Sequence, residues 1–133
     1  MKIRLLIAPI LLISSLWGTN ATATSVLPLQ ISRIVAAADV IFHGRVISNE
    51  VKQDPATGKI ATFTEFEVIE LIKGATGKTH TIKQIGGRLP GSKVHLVVHG
   101  VPQFHAGQAY VVFLPEASSL GFSSPIGLSQ GAF

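Results

Sequence analysis

A chain of 133 residues has room for one domain, and because it contains no cysteine, that domain must be held together by burial and strand pairing. Lysine and arginine number 11 against 7 aspartate and glutamate residues, which gives a formal net charge of +4. Two of these cations, Lys2 and Arg4, lie in a segment that is predicted below to be removed, and the other lysines and arginines are not clustered. This excludes a surface that follows a phosphate backbone, so we expect no nucleic acid partner.

Residues 1–23 have the three parts of a secretory signal peptide. Residues 1–4 are basic, residues 5–17 are apolar, and Ala21-Thr22-Ala23 is a small-residue cleavage signal, with cleavage after Ala23 favoured over Ala21. A transmembrane anchor is the alternative, but a span needs about 20 apolar residues, more than this run supplies. Cysteine-free export also excludes a lipobox and fits a bacterial source. We therefore expect a single domain, residues 24–133, in the periplasm or the medium, with no membrane span in the mature form.

The first predicted elements are one short helix and one strand. Residues 29–38 place Leu29, Ile31, Ile34, Val35 and Ala38 close to one helical face. Residues 40–48 are typical of a strand, and residues 49–59 of a polar loop that contains Asp-Pro and Thr-Gly turn formers.

Residues 61–74 contain no proline and no glycine before Gly74, and we predict them to be the central strand. A helix is the alternative, because Phe63, Phe66, Ile69 and Ile72 recur at a spacing of three, but the density of Thr, Phe, Val and Ile favours a strand. The apolar character crosses from one face to the other between Phe63 and Phe66, which predicts a β-bulge or a strong bend. We expect Glu65 and Glu67 to lie on the solvated side.

The rest of the chain reads as further short strands joined by glycine-rich and proline-rich turns. The predicted strands cover residues 78–85, 93–101 and 109–114, with a last weak strand around 125–133. The apolar strand 109–114 is expected to be buried on both faces. The fold class is therefore mainly β, a small OB-like or Greek-key barrel or sandwich with one short N-terminal helix, and a barrel is preferred because closure removes exposed edges.

Five segments of the sequence carry a resemblance to a known group. They are ADVIFHGRV (38–46), FEVIELIKG (66–74), Gly86-Gly87, FHAGQAYVVFL (104–114) and QGAF (130–133). In this order they resemble exported bacterial proteins of unassigned function, with a barrel similar to the OB-like netrin and metalloprotease-inhibitor modules. The resemblance implies fold more than activity, and it implies a last strand that continues beyond Phe133. Such inhibitors act through a cysteine-anchored N-terminus, which this chain does not have, so inhibition is not carried over.

Two sequence matches to catalytic or phosphate-binding motifs are rejected. Ser129 stands in a G-x-S-x-G pattern, but a nucleophile elbow needs a following helix and then an acid and a histidine, and two residues follow Gly131 here. The Gly77-Lys78-Thr79 segment resembles a phosphate loop, but the required leading glycine is replaced by Ile72. A terminal strand and a hairpin turn are the preferred interpretations.

The side chains that could carry chemistry are histidines and glutamates. We expect His95 and His99 on one face of a strand about 13 Å apart, too far to share a metal ion unless His80 or His105 joins them from neighbouring strands. Glu65 and Glu67 have a spacing suited to glycoside hydrolysis, but no aromatic sugar platform accompanies them. We expect no catalytic residues, no cofactor and no enzyme. The sequence favours an exported module that binds a protein or a cell-envelope component, and the alternative is a histidine-based metal-binding periplasmic protein.

Overall fold

The computed structural model of the protein describes residues 29–133, apart from the side chain of Leu128. The predicted signal peptide, residues 1–23, lies outside the described residues. Within the described part, no helix has the length and apolar character needed to cross a bilayer. The described chain is mainly β with one short α-helix, as the sequence predicts.

The α-helix, α1, spans Ile31–Ala37 and confirms the predicted N-terminal helix. Ile34 and the following Ala38 are buried, but Ile31 and Val35 are exposed, so the predicted apolar face is only partly covered. The physical reason is length, since the seven residues make only about two turns and Ile34 is the one residue buried within them. Ile34 packs in a cluster with Ile41 and Phe113.

Two 14-residue strands, β1 (Val40–Gln53) and β2 (Ile60–Lys73), form the antiparallel hairpin around which the fold is built. The central strand is confirmed within one residue. The first strand is longer than predicted, because Asn49–Gln53 continue the pairing with β2 in spite of their polar side chains. The polar loop therefore shrinks to a tight turn, in which the Gly58 N–H donates to the Asp54 carbonyl at 2.7 Å.

Irregular pairing curves this hairpin. The register between β1 and β2 passes over Ile47 in β1 and over Ile69 and Ile72 in β2. The bulge at Ile47 lies opposite the step between Glu65 and Phe66, so the predicted irregularity occurs at this point but on the partner strand. Bulges bend a strand and increase its twist, and the sheet curls into a half-barrel.

The remaining strands complete a four-stranded antiparallel sheet in the order β3-β2-β1-β6. The new strands are β3 (Thr79–Ile85), β4 (Gly87–Arg88), β5 (His95–Leu96) and β6 (Ala109–Leu114), with β4 and β5 forming a separate two-stranded ribbon. Three consecutive strands and a fourth that returns beside the first make a Greek-key arrangement. The long connection of that Greek key, residues 86–108, carries the ribbon.

Two predicted strands differ from the structure. Residues 93–101 contribute only the two residues of β5, because β4 offers a two-residue partner and Gly100 turns the chain with a positive φ of 84°. The C-terminal segment forms a 3₁₀ helix at Leu128–Gly131, after Gly127 in the left-handed region, and only Ala132 bridges to Val112. The prediction of a weak last strand around residues 125–133 is therefore wrong.

Both faces of β6 are buried, as predicted. Val112 and Leu114 lie in the main core with Phe42 and Phe66, whereas Phe113 lies in the second cluster under α1. Instead of closing against β3, the outer edge of β6 is covered by the end of the chain. The N–H groups of Val111 and Phe133 donate to each other's carbonyls at 2.8 and 3.0 Å.

Candidate functional site

The concave face of the sheet changes from apolar to polar along the strands. Cross-strand partners place three side chains in each row of this face, because residues paired in antiparallel strands point to the same side. From the core outwards the rows are Val46-Phe66-His80, then Asn49-Thr64-Ile82, then Val51-Thr62-Gln84. Val46, Phe66 and Ile82 pack in the main core, and the other side chains of the last two rows line a cleft.

The opposite side of the cleft is built by the long Greek-key connection. Gly86 and Gly87, with φ of 102° and 128°, turn the chain away from the end of β3 and lay the ribbon against the sheet. A Cβ on Gly87 would lie 2.6 Å from Thr62 Oγ1 and 2.8 Å from Val51 Cγ1, so glycine is needed for this approach. The cleft has a volume of about 300 Å³, at the lower end of the range for small-ligand sites.

A set of hydrogen bonds fixes the polar side chains of the cleft. Thr64 Oγ1 donates to Asn49 Oδ1 at 2.7 Å, and Asn49 Nδ2 donates to the Phe104 carbonyl at 2.8 Å. Thr62 Oγ1 donates to the Gly86 carbonyl at 2.7 Å. These bonds tie the sheet to both ends of the long connection, so the walls of the cleft are set before any ligand arrives.

Gln84 is the exception in this set. Its side chain lies at the cleft and is 3% exposed, and its Nε2 is buried without a hydrogen-bond partner. A buried donor without an acceptor costs about 1–3 kcal/mol, so nearly all buried polar groups in native proteins are paired. Because Gln84 also lines the cleft, a turn of its side chain would bring this amide to an acceptor from outside the protein.

The described residues that line the cleft include a cation, Arg88, but no anion. Arg88 and His95 face each other across the β4–β5 ribbon, and both line the cleft. No aspartate or glutamate is found among the described residues that line it. The remaining lining is largely apolar, and its apolar members include Val51, Ile85, Leu96, Val97, Val98, Val101, Pro102 and Phe104.

The four candidate metal ligands of the sequence are not brought together. His80 lies beside the core, with its Nδ1 2.8 Å from Thr76 Oγ1 and its ring 5.1 Å from that of Phe42, and burial lowers the pKa of His80. His95 lies on β5, whereas His99 lies in the following turn and His105 in an exposed loop. The expected placement of His95 and His99 on one strand face is wrong. No group of three or more His, Asp or Glu residues in the described chain could hold a metal ion.

The other motif residues have ordinary surroundings. Ser129 is exposed within the 3₁₀ helix, and Lys78 and Thr79 lie at the start of β3, where the Val68 N–H donates to the Lys78 carbonyl. Glu67 is exposed, as expected, and Glu65 is half-buried.

The other face of the sheet holds an ion pair that the sequence did not predict. Lys83 Nζ lies 2.7 Å from Asp54 Oδ1, with side chains 12% and 3% exposed, and also donates to the Leu120 carbonyl at 2.7 Å. The hydrogen bond from Lys83 lowers the pKa of Asp54 below its ordinary 3.8. A carboxylate with a lowered folded-state pKa stabilises the fold fully above its unfolded pKa, and this contribution is lost as the pH falls through the folded pKa. The pair therefore stabilises the fold at neutral pH, and this contribution is lost in acid.

Asn49, Thr64 and Gln84 are residues of this cleft that the sequence does not predict as site residues. The sequence predicts Asn49 to lie in a loop and Gln84 to lie in a half-polar strand, with no functional role for either. The available signal was alternation, since His80, Ile82 and Gln84 share one face of β3, as Thr62, Thr64 and Phe66 do on β2. Polar side chains that continue an otherwise buried face mark the place where a core opens into a cleft.

Comparison with protein-family models, with curated proteins and with solved structures finds no match for this chain. The predicted resemblance to exported bacterial barrel proteins therefore stays a prediction.

Proposed function

We propose that this chain is an exported, non-enzymatic binding module that holds part of a protein or cell-envelope partner in the cleft between the sheet and the β4–β5 ribbon. Export is inferred from the signal-peptide pattern of residues 1–23. The observation that carries the assignment to this cleft is the unpaired Nε2 of Gln84.

Three properties of the cleft support binding. Two of its polar side chains, Asn49 and Thr62, are fixed by hydrogen bonds to the long connection, which reduces the ordering that a ligand must impose. Its apolar lining residues offer nonpolar surface that a bound ligand would bury. Its lining combines polar groups with apolar side chains, and polar groups that converge beside apolar surface are a common feature of binding sites.

Binding without catalysis is supported by the kinds of side chain at the cleft. Its lining has amides, threonine hydroxyls, Arg88 and His95. Both threonine hydroxyls, of Thr62 and Thr64, donate to protein acceptors rather than to a base, so neither is arranged as an activated nucleophile. Of the four candidate histidines, His95 alone lines the cleft, which gives the metal-binding alternative no set of ligands there.

The test is a nuclear magnetic resonance screen of the mature protein with side-chain amide and methyl groups labelled. A library of peptides, saccharides and small organic acids, bases and neutral molecules is added in turn. We expect ligands that shift the signals of Gln84 and Val98 and leave the methyl signals of the exposed Ile69 and Leu120, which do not line the cleft, unchanged. The proposal is wrong if no compound shifts the cleft signals, or if every ligand found maps to another surface.

A further inference from the structure

We infer that the ligand of this cleft is the carboxyl terminus of an apolar peptide segment. The inference rests on the proposed function and specifies its ligand. Three features of the cleft carry it, namely the sign of its charge, its balance of donors and acceptors, and the separation of its donors between two walls.

The charge selects an anion. Arg88 carries a positive charge in the cleft lining, and no described aspartate or glutamate lines the cleft to neutralise it. His95 lies opposite Arg88 on the ribbon. An arginine guanidinium offers donors in a fixed fork that matches the two oxygens of a carboxylate. A cationic ligand would meet no complementary group on these walls.

The hydrogen-bonding balance selects a ligand that supplies acceptors. Asn49 Oδ1 accepts from Thr64, and the carbonyls of Phe104 and Gly86 accept from Asn49 and Thr62. These acceptors are already engaged, whereas the Nε2 of Gln84 has two N–H groups and no partner. A ligand oxygen that met this amide, after a turn of the Gln84 side chain, would remove the cost of the unpaired donor.

The positions of the donors distinguish a peptide from a simple fatty acid. Gln84 lies on β3, in the sheet wall, and Arg88 lies on β4, in the ribbon wall. A fatty acid has acceptors at one end only, whereas the donors lie on both walls. A peptide has a terminal carboxylate for Arg88 and backbone carbonyls further along the chain for Gln84. Its apolar side chains would cover Val97 and Leu96, which are exposed in the free protein.

The experiment is isothermal titration of the mature protein with acetylated trivaline bearing a free carboxylate. The comparison ligands are the same peptide as its C-terminal amide, and hexanoate. We expect the free carboxylate to bind about tenfold or more tightly than the amide, because a charge-assisted hydrogen bond contributes on this scale. We also expect hexanoate to bind more weakly than the peptide.

Variants assign the effect to residues. Arg88→Gln should remove the preference for the carboxylate over the amide, and Arg88→Lys should retain part of it. Gln84→Leu should weaken both peptides, because both carry the backbone carbonyls. Lys93→Gln, an exposed change between the strands of the same ribbon that does not line the cleft, should leave both affinities unchanged. Circular dichroism of each variant confirms that it is folded.

The outcomes separate this inference from the proposed function. Equal binding of the carboxylate and the amide, or hexanoate binding as tightly as the peptide, overturns the inference and leaves the cleft as a binding site for another ligand. Failure of the peptide to bind, while the screen finds neutral or cationic ligands in the cleft, also overturns the inference alone. If no ligand of any class enters the cleft, both the inference and the proposed function are wrong.

Discussion

Replacing Gln84 by leucine should make the free protein more stable. The buried Nε2 has no partner, and an unsatisfied buried donor costs about 1–3 kcal/mol. Leucine has a similar volume and no polar atom, although repacking an amide site with a branched side chain costs up to about 1.5 kcal/mol. The expected net gain in the free energy of unfolding is therefore about 1 kcal/mol. For a domain of this size that corresponds to a rise in Tm of about 4 to 8 °C.

The assay is urea unfolding of the ligand-free mature protein, followed by circular dichroism. The midpoint should rise while the m-value stays constant, because the surface exposed on unfolding is nearly the same. Gln103→Leu is the matched control, since Gln103 also lines the cleft but is exposed. Its change in stability should stay within about 0.5 kcal/mol.

A loss of stability in Gln84→Leu would refute this reasoning. If the variant is less stable than the wild type by about 1 kcal/mol or more, the amide makes a hydrogen bond that stabilises the free protein. The cleft would then hold no unpaired donor for a ligand. If Gln84 is kept for binding although its unpaired amide lowers stability, Gln84→Leu should raise the free energy of unfolding and weaken peptide binding.

Three further changes test the fold around the cleft. Phe113→Ala should destabilise by about 3–5 kcal/mol, as for other packed aromatics, whereas the exposed Glu67→Ala should stay within about 0.5 kcal/mol in the same urea assay. Asp54→Asn should lower stability at neutral pH and flatten the loss of stability that the wild type shows below about pH 3.8 in thermal melts. Gly87→Ala should destabilise more than Gly91→Ala, because both positions have positive φ but only Gly87 is in close contact with its neighbours.

Each of these changes has an outcome that contradicts the structure. Similar unfolding midpoints for Phe113→Ala and Glu67→Ala would show that the assigned burial is wrong. An unchanged acid profile in Asp54→Asn would mean that the ion pair does not form. Equal losses in the two glycine variants would mean that backbone strain alone, without the contact to the sheet, accounts for the cost of Gly87→Ala.

The long regular elements could be predicted from the sequence because each carries its own pattern. The run of residues 60–73 has strand composition without a breaker, and residues 109–114 are apolar on both faces because both faces of β6 are covered. The spacing of Leu29, Ile31, Ile34, Val35 and Ala38 predicts the helix, although only Ile34 and Ala38 of these are buried. These features depend on local propensity and burial, which a single segment shows by itself.

The elements that the sequence predicts wrongly depend on a pairing partner elsewhere in the chain. Residues 93–101 have strand composition, but only two of them pair, with the two residues of β4. Asn49–Gln53 look like a loop and become strand because β2 continues beside them. The same limit applies to the cleft, since the Asn49 side chain donates a hydrogen bond to the carbonyl of Phe104, which lies 55 positions further along the chain. Pairing over such distances leaves no local pattern.

The central claim is that a ligand supplies the acceptor that Gln84 lacks. The most direct measurement is a crystal structure of the mature protein with acetylated trivaline bound. We predict a peptide oxygen at about 2.7 to 3.2 Å from Gln84 Nε2, the range of a normal N–H···O hydrogen bond, with the terminal carboxylate on Arg88. A complex in which the peptide lies elsewhere, or in which Gln84 Nε2 remains unpaired beside a bound ligand, would contradict the account.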